Sequence, residues 1–167
     1  MKKIMLVLCC SFLCAILLQA TAFSQAGNSF NKHGISFSYP SGSTVKDDSE
    51  PGKYGQVHCT TPTGNFFSIT AYETKMNPDS ELKDFQDSFD KEYRTSGATN
   101  IKFNTQKTGW VMTFTLNKIN FLCDANYYQS FKGHGRQVII VRQYPIFNPG
   151  DTMPAELTNA VKSIDVK

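Results

Sequence analysis

The run from residue 109 to 141 constrains this chain more than any other. Trp110, Met112, Phe114 and Leu116 alternate with Val111, Thr113 and Thr115, the period of a strand whose two sides meet different surroundings. Asn117-Lys118 interrupts the pattern, and Ile119, Phe121, Cys123, Ala125 and Tyr127 then hold one apolar phase. Two alternating runs separated by two residues predict a tight hairpin. Residues 137–144 follow, with Val138-Ile139-Ile140-Val141 unbroken at their centre, as in a strand covered on both faces. Such a meander requires an antiparallel sheet with material packed on each side.

The rest of the chain supplies more strands and the covering helices. Ile35, Phe37 and Tyr39 alternate with Gly34, Ser36 and Ser38 until Pro40 and Gly42 stop the pattern, so 35–39 reads as a half-buried strand before a turn. Residues 46–55 read as a polar loop. Residues 56–61 and 65–72 read as strands joined by Pro62-Thr63-Gly64, with Phe67, Ile69 and Ala71 on one side and Ser68 and Thr70 on the other. After residue 77 the period changes. Asp79 or Ser80 offers a cap, Leu82, Phe85, Phe89 and Tyr93 follow at helical spacing, and Ser96-Gly97 closes the segment. That aromatic stripe is the surface a helix lays on a sheet. Residues 100–106 read as a further strand, and a short helix over 153–164 puts Leu157, Ala160, Val161 and Ile164 on one side, with Pro154 in its first turn. The expected class is α+β: an antiparallel β-sheet of about six or seven strands flanked by two main helices.

Residues 1–26 read as a signal peptide. Lys2 and Lys3 precede an uncharged apolar run, and small residues follow in the order Ala20-Thr21-Ala22 or Ser24-Gln25-Ala26. The run is short of the ~20 residues that cross a bilayer, so cleavage rather than anchoring is expected. One domain then occupies 27–167, secreted or periplasmic, with no stable membrane insertion. Losing Lys2 and Lys3 leaves fifteen basic against fourteen acidic side chains. No basic stripe remains to suggest nucleic acid.

Processing also removes Cys9, Cys10 and Cys14, leaving Cys59 and Cys123. Both lie in strand-like segments in phase with apolar neighbours. An oxidising compartment favours a bridge between them, worth about 4 kcal/mol by loop closure. The alternative is two separate buried thiols acting as small hydrophobes.

Motifs that carry chemistry are scarce. His33, His58 and His134 do not stand at metal-ligand spacing from one another or from a thiol. Asp47, Asp48 and Glu50 lack the alternating oxygen pattern of a calcium loop, and no glycine-flanked serine elbow occurs. No catalytic residue, metal or cofactor is assigned. The remaining feature is aromatic: Phe66, Tyr72 and Tyr128 fall on the polar phase of their strands. They form either an exposed partner surface or part of a second core under a helix.

Gly34, Ile35, Phe37, Tyr39, Pro40 and Gly42, with Val161, Ser163 and Ile164 near the end, resemble the opening strand and closing helix-to-strand element of the PsbP-like fold family. The element order between them is also similar. The resemblance implies an α/β/α sandwich and a non-enzymatic accessory or binding domain, with no binding residue carried over. The function expected is therefore an exported module acting through contacts with an envelope protein. The alternatives are a carrier of an apolar small molecule and a small secreted hydrolase with a site built from remote residues. A cleft joining His58 or His134 to a carboxylate would favour the last.

Overall fold

The hairpin expected at Asn117-Lys118 forms, with φ of 50° and 66° at the two residues, the left-handed pair that a type I′ turn requires. It joins β7 (Gly109–Leu116) to β8 (Ile119–Tyr128), which lies against β9 (Val138–Ile146). The structure is a computed structural model that describes residues 27–148 and 150–167. The expected signal peptide, 1–26, lies outside the described residues.

The meander is the centre of a seven-stranded antiparallel sheet. Its outer members are β3 (Thr44–Asp47), β4 (Tyr54–Thr60), β5 (Phe66–Tyr72) and β6 (Thr99–Gln106). The spatial order is β3-β4-β5-β9-β8-β7-β6. Helix α1 (Pro78–Thr95) packs on one face. The other face carries α2 (Ala155–Ser163) and a separate small sheet made from β1 (Asn28–Lys32), β2 (Ile35–Tyr39) and β10 (Asp165–Val166). The α+β class, a main sheet of seven strands and the two helices are as the sequence leads one to expect. The strand at 35–39, however, joins the small second sheet, and β3, which runs into the segment read as a polar loop, takes the edge place in the main one.

The helix boundary differs in a way that local chemistry explains. Asn77, not Asp79 or Ser80, caps α1, its side chain accepting from the Asp79 N–H at 3.1 Å. Pro78 is the first helical residue. Its fixed φ suits that position, and an asparagine before it supplies the acceptor that the free N–H groups need.

Two cores result. On the α1 face, Trp110, Met112, Phe114, Cys123, Ala125, Ile139 and Val141 lie beneath Leu82, with Phe85, Phe89 and Tyr93 packed around them. The indole N–H of Trp110 donates to the Leu82 carbonyl at 3.1 Å. The rings of Phe89 and Phe103 meet the indole edge-on, 5.6 and 5.7 Å away. On the α2 face, Ile35, Phe37, Val57, Cys59, Phe67, Ile69, Val138 and Ile140 pack with Leu157, Ala160 and Ile164. Strand β9 thus contributes to both cores, as its unbroken apolar centre requires.

The cysteines correct the expected bridge. Cys59 and Cys123 are free, buried thiols in different cores, on opposite faces of the sheet. Strands β5 and β9 separate β4 from β8, about 14 Å at the usual strand spacing. A disulfide needs Cα atoms within about 7 Å. The two thiols act as small hydrophobes, and burial raises both pKa values, that of Cys59 to about 11.

Arg136 ties the small sheet to the large one. Its guanidinium donates to the carbonyls of His33 and Lys167 at 3.1 and 3.0 Å and of Ala71 at 3.2 Å. One planar fork therefore joins the β1–β2 turn, the last residue and the end of β5.

Candidate functional site

Seven strands span about 29 Å, whereas a helix with its side chains is about 10–12 Å across. One helix cannot roof such a sheet. Helix α1 lies over β7 and β8, and the α1-facing side of β3 and β4 stays open. The burial of β4 follows from this: Gly55, Val57 and Cys59 are buried, while Tyr54, Gln56, His58 and Thr60 are not.

The result is a trough between α1 and β4. At one end, Tyr54, Gln56, Tyr72, Met76, Glu81 and Phe85 line a cleft of about 500 Å³. At the other, a cleft of about 550 Å³ is lined by Lys46, Asp48, His58, Phe66, Phe89, Glu92 and their neighbours. Together the two clefts take in every α1-facing side chain of β4. That row is about 20 Å long at 3.3 Å per residue.

His58 is the central ionisable group. Its Nε2 lies 3.4 Å from Asp48 Oδ2, and its ring stacks on Phe66 with centroids 5.8 Å apart. Burial holds its pKa below the usual imidazole value, against the pull of the Asp48 and Glu92 carboxylates. Asp48 also meets Lys46 at 2.7 Å. Opposite, the Tyr93 hydroxyl donates to Gln143 Oε1, and burial raises the pKa of that phenol. Tyr72 donates to Glu81 at 3.0 Å and is likewise buried enough to hold its proton more tightly. Of the charged lining, α1 contributes Glu81 and Glu92, and the opposite side contributes Lys46, Asp48 and Lys53, the two lysines being paired with Asp48 and Glu50.

The three aromatic positions separate. Phe66 and Tyr72 are partly buried against the α1 core and wall the trough at its two ends. Tyr128 pairs with Val138, which belongs to the α2-side core. It therefore lies on the opposite face, 39% exposed and edge-on to Phe131. No single patch unites the three.

Each histidine meets one aspartate: His33 with Asp47 at 3.1 Å, His58 with Asp48, and His134 with Asp165 at 3.2 Å. Among the described residues, no group of three or more His, Cys, Asp or Glu side chains is arranged to hold a metal ion. No helix among them is long and apolar enough to cross a membrane. Sequence reasoning missed Asp48, Phe89, Glu92 and Gln143 as site residues. Phe89 gave a core signal only, and nothing local to Asp48 or Glu92 says that they converge from two elements. No protein-family model matches this chain, and no curated protein matches it in sequence.

Proposed function

We propose that this chain is an exported accessory module working through protein contacts at the cell envelope, with the α1–β4 trough seating an extended segment of its partner. The observation that carries this reading is the open α1-facing row of β4, Tyr54, Gln56, His58 and Thr60. Aromatic and charged side chains are interspersed along both of its clefts for the length of a strand. A polypeptide matches such a surface with its own alternating side chains, and its basic groups can complement Glu81 and Glu92 on the α1 wall. A carrier of an apolar molecule would call for an enclosed apolar cavity, and the trough is open and of mixed polarity. The signal-like residues 1–26 and the resemblance to the PsbP-like family support the same reading.

A photo-crosslinking residue at Gln56 in the mature protein tests it, with the same group at Lys107 as control. In the native envelope fraction, Gln56 is expected to yield one protein adduct, with crosslinks mapped to a single contiguous segment. Adducts from Lys107 alone, or from neither position, would overturn the reading.

The contact between His58 and Asp48 favours a second reading, a hydrolase in which neutral His58 acts as base. Turnover of an ester or phosphodiester panel that disappears in His58→Gln would support it. Equal rates in the two proteins would remove it.

A further inference from the structure

The small sheet and α2 do not reach the far side of the sheet, so the α2-facing side of β6, β7 and the adjoining part of β8 is also open. Near the β7–β8 hairpin this open side holds a pocket of about 380 Å³. Its polar lining includes Asn100, Lys102, Thr113, Thr115 and Asn120, and Phe147 forms a wall.

Three observations set this pocket apart. Phe147 is the most exposed large apolar side chain among the described residues, at 73%. Its backbone is held in place, because Asp151 Oδ2 accepts from the backbone N–H groups of Phe147 and Asn148, both at 2.8 Å. Second, the register between β6 and β7 shifts between Thr99 and Lys102, and Asn100 adopts φ of +55°. A bulge of this kind re-aims a side chain, and here Asn100 Nδ2 donates to Thr115 Oγ1 at 3.3 Å. Third, Thr115 Oγ1 donates to Asn120 Oδ1 at 2.8 Å, fixing both amides. The Asn100 Oδ1, Asn120 Nδ2, Thr113 hydroxyl and Lys102 ammonium make no hydrogen bond among the described residues. Fixed amides with spare donors and acceptors, beside one flat exposed ring, suit a ligand with hydroxyls around its edge and an apolar face.

We propose that this pocket binds a saccharide, with a sugar ring lying on Phe147 and its hydroxyls bonded to Asn100, Asn120 and Thr113. Lys102 is the single charge in the lining, so sugars bearing a carboxylate bind more tightly than neutral ones. The site is on the opposite face from the trough and stands or falls independently of the partner reading.

Titration of the mature protein with chitotriose and with a hyaluronan tetrasaccharide, followed by amide chemical shifts, tests this. Both probes are expected to shift β6, β7 and the 146–148 segment, the acidic probe at lower concentration. Phe147→Ala is expected to weaken both about tenfold, the worth of one ring contact. Lys102→Met should remove the preference for the acidic probe and leave chitotriose unchanged. Folding of each variant is checked by its urea midpoint. No shift in the 99–120 region with either probe, or shifts equally strong in Phe147→Ala, would overturn the proposal.

Discussion

Strands β4 and β7 are the same length to within a residue, yet they bury opposite sides. Strand β4 buries Gly55, Val57 and Cys59 toward α2 and leaves its α1-facing row open. Strand β7 buries Trp110, Met112 and Phe114 toward α1 and leaves Val111, Thr113 and Thr115 only partly covered or exposed. The comparison teaches how this sheet manages its width. Each covering layer roofs part of one face, the two layers are offset, and only the strands between them are covered on both sides. Each bare region is a concave surface of mixed polarity backed by a packed core.

The largest effects are expected from removing the anchor of either layer. Trp110→Ala should cost about 4 kcal/mol and Leu157→Ala about 3 kcal/mol, measured by urea unfolding. Because the two residues belong to separate cores, their costs should add within about 0.5 kcal/mol. A strongly non-additive double variant would mean that the layers are not independent.

Gly109→Ala comes next. A Cβ there would lie 2.0 Å from the Ala125 carbonyl oxygen, so β7 and β8 would have to separate. About 2 kcal/mol is expected, read from the same denaturation curves. Asp124 and Arg142 form a bidentate pair, at 2.7 and 2.8 Å, on the α2-facing side of β8 and β9. Their carboxylate and guanidinium are only 13% and 24% exposed. Asp124→Asn should cost about 2 kcal/mol; a neutral result would show that water reaches this part of the sheet freely.

The smallest effects concern acid. Burial raises the Glu156 pKa, but hydrogen bonds from Thr63, Thr61 and Asn65 outweigh it and hold the carboxyl below the usual range. A carboxyl depressed on folding adds stability above its unfolded pKa, and that stability disappears as pH falls through the folded value. Glu156→Gln should therefore be less stable at neutral pH and less sensitive to acid below about pH 4.5. His58 acts at milder pH. Its folded pKa is also lowered, so the unfolded chain takes up a proton first, and stability falls as pH drops below about 6.5. Stability curves of His58→Gln, flatter between neutral and mildly acidic pH, would check this.

Much of this arrangement is legible in the residues. The alternation in β7, the two-residue hairpin, the doubly apolar centre of β9 and the helical stripe of α1 all read directly, because each is a local period. The polar phase of β4 at Gln56, His58 and Thr60 was legible too, as was that of β7 at Thr113 and Thr115. What one strand cannot reveal is which layer lies over which phase, since alternation looks the same whichever face is covered. Cys59 and Cys123 show the cost of that ambiguity: both stand in apolar phase, and only the strand order reveals that their phases point to opposite faces. The trough was hidden for the same reason, because Asp48 and Glu92 reach His58 from a loop and a helix.

The offset of the two layers is tested most directly by alkylating the protein, purified without reductant and unfolded in denaturant, and mapping the labels by peptide mass. With β5 and β9 standing between β4 and β8, two labelled thiols are predicted, at Cys59 and Cys123. An unlabelled, oxidised pair would place those residues side by side and contradict the sheet itself.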